Sequence, residues 1–180
     1  MRQRLIEARQ SFDADPGASS ARDALAMHLV RVLEELEPDC LGLYWPMRLE
    51  FNAPAALAAD ARRMNWRLAL PFTRREPREM HFRAWNGAAP SLVDECRIPA
   101  SDGPAVVPDV VLAPCVGFTD AGYRLGYGGG YFDRFLAAHP HVTAVGVAFA
   151  FMRLAPGDFH AQPHDRALDL VVTERGVHAG

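Results

Sequence analysis

The chain has 180 residues, 49% of them hydrophobic and 23% charged, with a formal net charge of −3. This balance excludes a disordered chain, and the small negative charge argues against a broad nucleic-acid surface, so no nucleic-acid partner is expected. All nineteen Lys+Arg residues are arginine, so a phosphate or carboxylate must be met by an arginine fork, a metal ion or backbone N–H groups.

Arg2, Arg4 and Arg9 lie on a first helix, where a solvated face is the simplest reading. Ser20 is placed to cap a helix over 21–37, with Asp23 three residues on, and Leu25, Leu29, Val32, Leu33 and Leu36 make its apolar stripe. Residues 40–45 read as a strand stopped by Pro46. Asn52 caps an alanine-rich helix to about Met64, and 67–72 and 80–85 read as further strands. From Asn86 to Pro108 the density of Pro, Gly, Ser and Asp indicates loop or edge structure. An apolar, strand-like run follows from Val110. Alternating helical and strand patterns favour an α/β layer fold with a mainly parallel sheet flanked by helices, and the length suits a single domain over residues 1–180.

Cys40, Cys96 and Cys115 lack paired spacing, and Cys40 and Cys115 lie in apolar runs where a reduced thiol is usual. No basic-then-apolar leader opens the sequence and no stretch of eighteen apolar residues occurs. A cytoplasmic protein with no membrane partner is expected.

The most informative segment is Gly122 to Leu136, in which Gly126, Gly128, Gly129 and Gly130 precede Phe132, Phe135 and Leu136 at the spacing of one helical face. Strand, glycine loop and helix in that order make an anion site. Glycine lets phosphate oxygens approach the main chain, and the N–H groups that open a helix point at the oxyanion. Arg124 enters the loop and can fork onto phosphate, while Asp133 in the first helical turn is placed to hold a divalent metal. The nucleotide P-loop is ruled out by the missing lysine. The dinucleotide fingerprint fails because no acidic residue ends a second strand about twenty residues later.

The run Arg124-Leu125-Gly126-Tyr127-Gly128-Gly129-Gly130-Tyr131-Phe132-Asp133-Arg134 resembles the hallmark of the 5-formyltetrahydrofolate cyclo-ligase family, Arg-Leu-Gly-x-Gly-x-Gly-Tyr-Tyr/Phe-Asp-Arg. Residues 110–118 and 145–149 resemble the family's strands on either side of the loop. Pro163-His164-Asp165 with Leu168 to Glu174 resembles its closing segment, and Tyr44 to Glu50 its strand-end substrate segment. The resemblance implies a Rossmann-like, NagB/RpiA/CoA-transferase-like architecture and a monomer. It implies ATP- and magnesium-dependent closure of 5-formyltetrahydrofolate to 5,10-methenyltetrahydrofolate, with ADP and phosphate released, so the partners are small molecules, a reduced folate and ATP.

By the same resemblance, Arg124, Tyr131 and Asp133 serve catalysis. Leu125, Gly126, Tyr127, Gly128, Gly129, Gly130, Tyr131 and Phe132 join Arg124 around ATP. Arg2 resembles an N-terminal arginine that reaches the ATP phosphates, with Arg4 standing in for a lysine that this sequence lacks. Glu50 would accept the pterin's N–H groups, with Trp45 as an apolar wall and Tyr127 and Tyr131 nearby. Asp133 and Asp165 would hold magnesium, Asp169 being the alternative second ligand. His160 and His164 read as solvated. The run from Arg74 to Arg78 reads as a loop whose charge suits the glutamate tail of a folate. A non-catalytic nucleotide- or folate-binding homologue and a sugar-phosphate isomerase-like enzyme are the alternatives.

Overall fold

A computed structural model describes residues 1–179. Helices α1 (Arg2–Asp13) and α2 (Ala18–Leu36) precede β1 (Cys40–Gly42), α3 (Ala53–Arg63), β2 (Arg67–Arg74) and β3 (Glu79–Trp85). The short strands β4 (Leu92–Val93), β5 (Pro99–Ala100) and β6 (Ala105–Val106) follow, then β7 (Val110–Pro114), β8 (Gly117–Phe118) and β9 (Arg124–Leu125). The chain closes with α4 (Tyr131–Ala138), β10 (Thr143–Val147), β11 (Leu170–Thr173) and β12 (Gly176–Ala179).

Eight strands share one sheet, ordered β12-β11-β10-β7-β1-β2-β3-β6. From β11 to β2 all neighbours are parallel, and β12, β3 and β6 add antiparallel edges. The chain leaves β1 on one side for β2 and on the other for β7, so the strand order reverses between β1 and β7. In open α/β sheets that reversal leaves a crevice beyond the strands' carboxyl ends, where ligands bind. This is the α/β fold with a mainly parallel, helix-flanked sheet that the alternating patterns indicate.

The centre of the sheet is dry. Val111, Leu112 and Ala113 of β7 and Val145 of β10 are fully buried, as a parallel strand covered on both faces requires. Gly42 lets β1 run close to its surroundings, because a Cβ there would stand 2.9 Å from both Phe82 and Pro108. The α2 stripe buries Leu25, Leu29, Val32 and Leu33, each worth roughly 1.5–3 kcal/mol. Phe135 of α4 meets Phe82 of β3 edge-on at 4.9 Å.

Several boundaries differ from the sequence reading. α2 begins three residues earlier than 21, because Asp15 turns the chain by accepting the Gly17 N–H at 2.7 Å, so Ser20 caps nothing. Asn52 does cap α3, accepting the Ala55 N–H at 3.1 Å. Strand β1 stops at Gly42 instead of Trp45. Residues 110–118 divide into β7 and β8, and β8 pairs with β9 outside the main sheet. The 86–108 segment is mostly loop, with β6 as an edge strand on β3. Among the described residues no helix is long and apolar enough to cross a membrane.

Candidate active site

Beyond the carboxyl ends of β1 and β7 lies a cavity of ≈ 940 Å³. Trp45, Glu50, Arg124, Tyr131, Asp133 and Asp165 line it, with Arg2 and the glycines of the loop. A hollow of comparable volume, ≈ 880 Å³, lies between α3 and the end of β3 and contains none of the candidate residues.

The glycine loop forms one wall. Gly128 and Gly130 take φ of 95° and 64°, a left-handed backbone that other residues adopt at a cost. Gly126 serves closeness instead, since a Cβ there would stand 2.7 Å from the Arg124 guanidinium. Among the described residues no acceptor takes the backbone N–H groups of residues 126–133, the open-donor arrangement an anion requires. Arg2 donates to the Gly126 carbonyl at 2.8 Å and so braces the loop from α1. Arg4 is exposed and outside the cavity lining. The reason is helical phase: positions 2, 5, 6 and 9 share the inward face and position 4 does not.

Arg9 overturns the solvated-helix expectation. It is 2% exposed and reaches beneath the cavity, donating to the Tyr127 hydroxyl at 2.9 Å and to the Cys115 carbonyl at 3.0 Å. Its position beside Leu5 and Ile6 on one helical face is the sequence signal for inward placement.

The opposite wall is the segment after β1. The buried Tyr44 hydroxyl donates to Phe51 O at 2.7 Å, closing the loop between them. Arg48 and Leu49 both adopt left-handed backbone, φ 48° and 62°, each costing about 1–2 kcal/mol. The turn is held because Glu50 accepts the Met47 N–H at 2.8 Å and donates its own N–H to Met47 O at 3.0 Å. The Glu50 side chain is only 3% exposed. Burial pushes its carboxyl above the usual carboxylate range, against the pull of the Met47 N–H and Arg9. Burial also pushes the Tyr127 hydroxyl up to about 12, with the Glu50 charge adding to it.

Asp94, which the sequence reading passed over, builds the third side. One carboxylate oxygen accepts the Cys96 and Ile98 N–H groups at 2.9 and 2.8 Å, and the other accepts the Thr73 N–H at 3.0 Å and the Thr73 hydroxyl. This carries Cys96 and Ile98 to the cavity. An aspartate that bonds the backbone two residues on is the turn signal that would have revealed it. The Tyr131 hydroxyl lies 3.2 Å from Cys96 Sγ, and that bond first, with burial second, raises its pKa.

Arg124 is not a free fork. Nη2 donates to Asp133 Oδ2 at 2.9 Å, with side-chain exposures of 6% and 16%, and the guanidinium lies over the Phe132 ring at 5.2 Å. Asp165 closes a turn by accepting the Gln162 N–H at 2.7 Å and lines the cavity. Asp169 is excluded as a second ligand: its carboxylate accepts the Ala144 N–H at 2.7 Å, where β10 begins, at the opposite edge of the sheet. Among the described residues no three His, Cys, Asp or Glu side chains cluster as a metal cage. Two carboxylates on one cavity nevertheless suit magnesium, which commonly takes one or two carboxylates and completes its shell with water and substrate phosphate. His160 and His164 are exposed at the rim, as expected.

Comparison with known proteins gives these features a lineage. A solved structure of a 5,10-methenyltetrahydrofolate synthetase from Mycoplasma pneumoniae superposes with a TM-score of 0.75 at 24% identity, covering 96% of each chain. The structure of the Aquifex aeolicus 5,10-methenyltetrahydrofolate synthetase gives 0.72 at 27% identity, over 99% of this chain and 90% of that one. A 5-formyltetrahydrofolate cyclo-ligase from Mycoplasma pneumoniae is 42% identical over 67 residues, a match spanning 37% of this chain and 39% of that relative. The family model matches residues 1–174, from α1 and its buried arginine through β11, and the chain belongs to the 5-formyltetrahydrofolate cyclo-ligase family.

Proposed function

We propose that the chain catalyses the reaction for which its family is named. ATP phosphorylates the formyl oxygen of 5-formyltetrahydrofolate, N10 attacks the activated carbon, and phosphate departs to leave 5,10-methenyltetrahydrofolate and ADP. The observation that carries this reading is one cavity with an open-donor glycine loop on one wall and the buried carboxylate of Glu50 on the other. A phosphate donor and an N–H-rich ring are thereby offered adjacent seats. Phosphoryl transfer between them needs positioning and charge neutralisation more than a protein nucleophile.

Each residue then has a task. The N–H groups of residues 126–133 receive phosphate oxygens, and Arg2 braces the loop while its remaining guanidinium N–H groups face the triphosphate. Arg124 meets the transferring phosphoryl group by sharing its fork with Asp133. Glu50 accepts a pair of pterin N–H groups. Trp45, in edge contact with Trp85 at 6.3 Å, walls the ring, and Tyr127 and Tyr131 stand between the two seats. Asp133 and Asp165 would hold magnesium, which when bound neutralises phosphate charge. Arg75 at the cavity edge offers a counter-charge to the folate's glutamate carboxylate.

The test is an absorbance assay at the methenyl product's band with ATP, magnesium and 5-formyltetrahydrofolate. Product formation that requires ATP is expected. ATP and folate binding without turnover would indicate a non-catalytic homologue, and turnover of a sugar phosphate without ATP would indicate the isomerase-like reading, which the family match leaves unsupported.

A further inference from the structure

Arg9 is among the largest fully buried side chains in the protein, and its surroundings do not account for it as packing. A buried guanidinium is costly unless its charge is paired and its donors are used. Nη2 donates to the Cys115 carbonyl at 3.0 Å, on the link between β7 and β8. Nη1 donates to the Tyr127 hydroxyl in the glycine loop at 2.9 Å and, at 3.4 Å, to the carbonyl of the left-handed Arg48 in the Glu50 turn. One side chain from α1 therefore ties together both walls of the cavity and its floor. The carboxylate paired with it is Glu50, with Oε1 at 3.9 Å from Nη1. That separation is an ion pair but too long for a hydrogen bond. Arg9 Nε and Glu50 Oε1 are left buried without hydrogen-bond partners.

We infer that Arg9 is a positioning residue for the folate subsite: its charge keeps the buried Glu50 carboxylate ionised, and its fork fixes the Glu50 turn against the glycine loop. The inference rests on the proposed role of Glu50 as the acceptor of the pterin N–H groups. A protonated Glu50 would lose the charge and part of the acceptor capacity that such a bond needs.

The Met47 N–H favours the ionised Glu50 carboxylate first and Arg9 second, and among the charged groups that face Glu50 Arg9 is the buried one. From α1 comes Arg9, from the glycine loop Tyr127, from the strand ends Tyr44 and Cys115, and from its own turn Arg48. Burial pushes Tyr127 and Cys115 each up to about 12 and raises Tyr44 well above its ordinary value, so all three are neutral near pH 7. Arg48 is exposed, and its guanidinium sits over the Tyr127 ring at 5.5 Å, where solvent screens its charge. Of these groups facing Glu50, Arg9 is the buried cation. Because the Glu50 pKa lies above its ordinary value, folate affinity falls as pH drops through it. Removing the neighbouring positive charge raises that pKa further and moves the acid limb to higher pH.

The experiment uses wild-type protein, Arg9→Gln, which loses the charge but keeps a donor, and Arg9→Lys, which keeps the charge but loses the fork. Glu50 is titrated in each ligand-free protein through its carboxyl carbon NMR signal, assigned by its loss in Glu50→Gln. In parallel, 5-formyltetrahydrofolate affinity is measured by calorimetry over an acid-to-neutral pH series. The expected result is a Glu50 midpoint and a binding limb about one pH unit or more higher in Arg9→Gln, both close to wild type in Arg9→Lys. Identical midpoints in all three proteins, or equal displacement in both variants, would overturn the inference. Arg9→Met is the second neutral variant if Arg9→Gln does not fold, and failure of both to fold would make Arg9 a structural strut and end the proposal. Wild-type protein that binds no folate at any pH would sink the proposed function, while the ligand-free titration would still decide whether Arg9 controls Glu50.

Discussion

Asp109 and Asp169 sit where the parallel strands begin, and Glu50 and Asp133 sit beyond where they end. Both oxygens of Asp109 accept backbone N–H groups, from Cys40 at 2.6 Å and Asp39 at 3.1 Å, and Asp169 accepts the Ala144 N–H at 2.7 Å. Beyond the carboxyl ends, Glu50 Oε1 has no hydrogen-bond partner, and Asp133 leans on a single arginine at the cavity wall. The contrast has a backbone origin. A strand that starts leaves N–H donors to be capped, so carboxylates there are consumed by the fold. Beyond the other edge, loops aim their side chains into the crevice of the strand-order reversal. Identical functional groups are therefore consumed by the fold on one side of the sheet and left at the cavity on the other, where the proposed function assigns them to recognition.

The largest expected effect tests the recognition side. Arg124→Ala should lower kcat/KM on the order of 10²–10³-fold, as loss of a positioned charge donor does. It also unpairs Asp133, so a stability loss of about 1–3 kcal/mol in denaturant titration should accompany it. Retained turnover with that stability loss would place Arg124 with the structural carboxylates' partners and break the comparison.

Glu50→Gln comes next. Losing one charge-assisted bond should weaken 5-formyltetrahydrofolate binding by about 1.5–3 kcal/mol, roughly 10- to 150-fold, with ATP affinity unchanged in calorimetry. Parallel loss of both ligands would mean that the change collapses the cavity.

On the opposite edge the pattern should invert. Asp169→Ala leaves the Ala144 N–H uncapped, so the melting temperature should fall by an amount corresponding to about 1–3 kcal/mol, with kcat near wild type. A kcat/KM loss matching that of Arg124→Ala would show that the two edges are not separate in function.

The smallest effect concerns Cys96. Ser keeps a hydroxyl partner for Tyr131, so Cys96→Ser should alter stability and kcat/KM by less than about 1 kcal/mol each. A larger kinetic loss would make the Cys96–Tyr131 contact part of the recognition edge.

Local chemistry decided what was readable from residues alone. Asn52 three residues before the Ala55 N–H is a self-contained cap, and it forms. The loop from Gly126 to Gly130 carries its backbone conformation and family signature in consecutive residues, and Gly128 and Gly130 take the left-handed angles that such clustering implies. The Ser20 cap does not form because Asp15 turns the chain by accepting the Gly17 N–H, and α2 is already under way at Ala18 before Ser20 is reached.

Other assignments needed contacts that no local pattern encodes. Asp133, Asp165 and Asp169 are alike in sequence, and only the register of β10 against β11 takes Asp169 to the far edge. Arg124 at β9 pairs with Asp133 in the first turn of α4, across the glycine loop that joins the two elements. Arg2, Arg4 and Arg9 are three charges on one helix. Docking of Leu5 and Ile6 turns Arg2 to the loop and leaves Arg4 in solvent. The same rotation buries Arg9 beside Glu50. By itself the sequence determined the glycine loop, its helix and the α/β alternation, because these depend on backbone freedom and short periodicities. The tertiary structure alone decided which charges meet, because burial turns a helix position into an ion pair only when the opposing surface is in place.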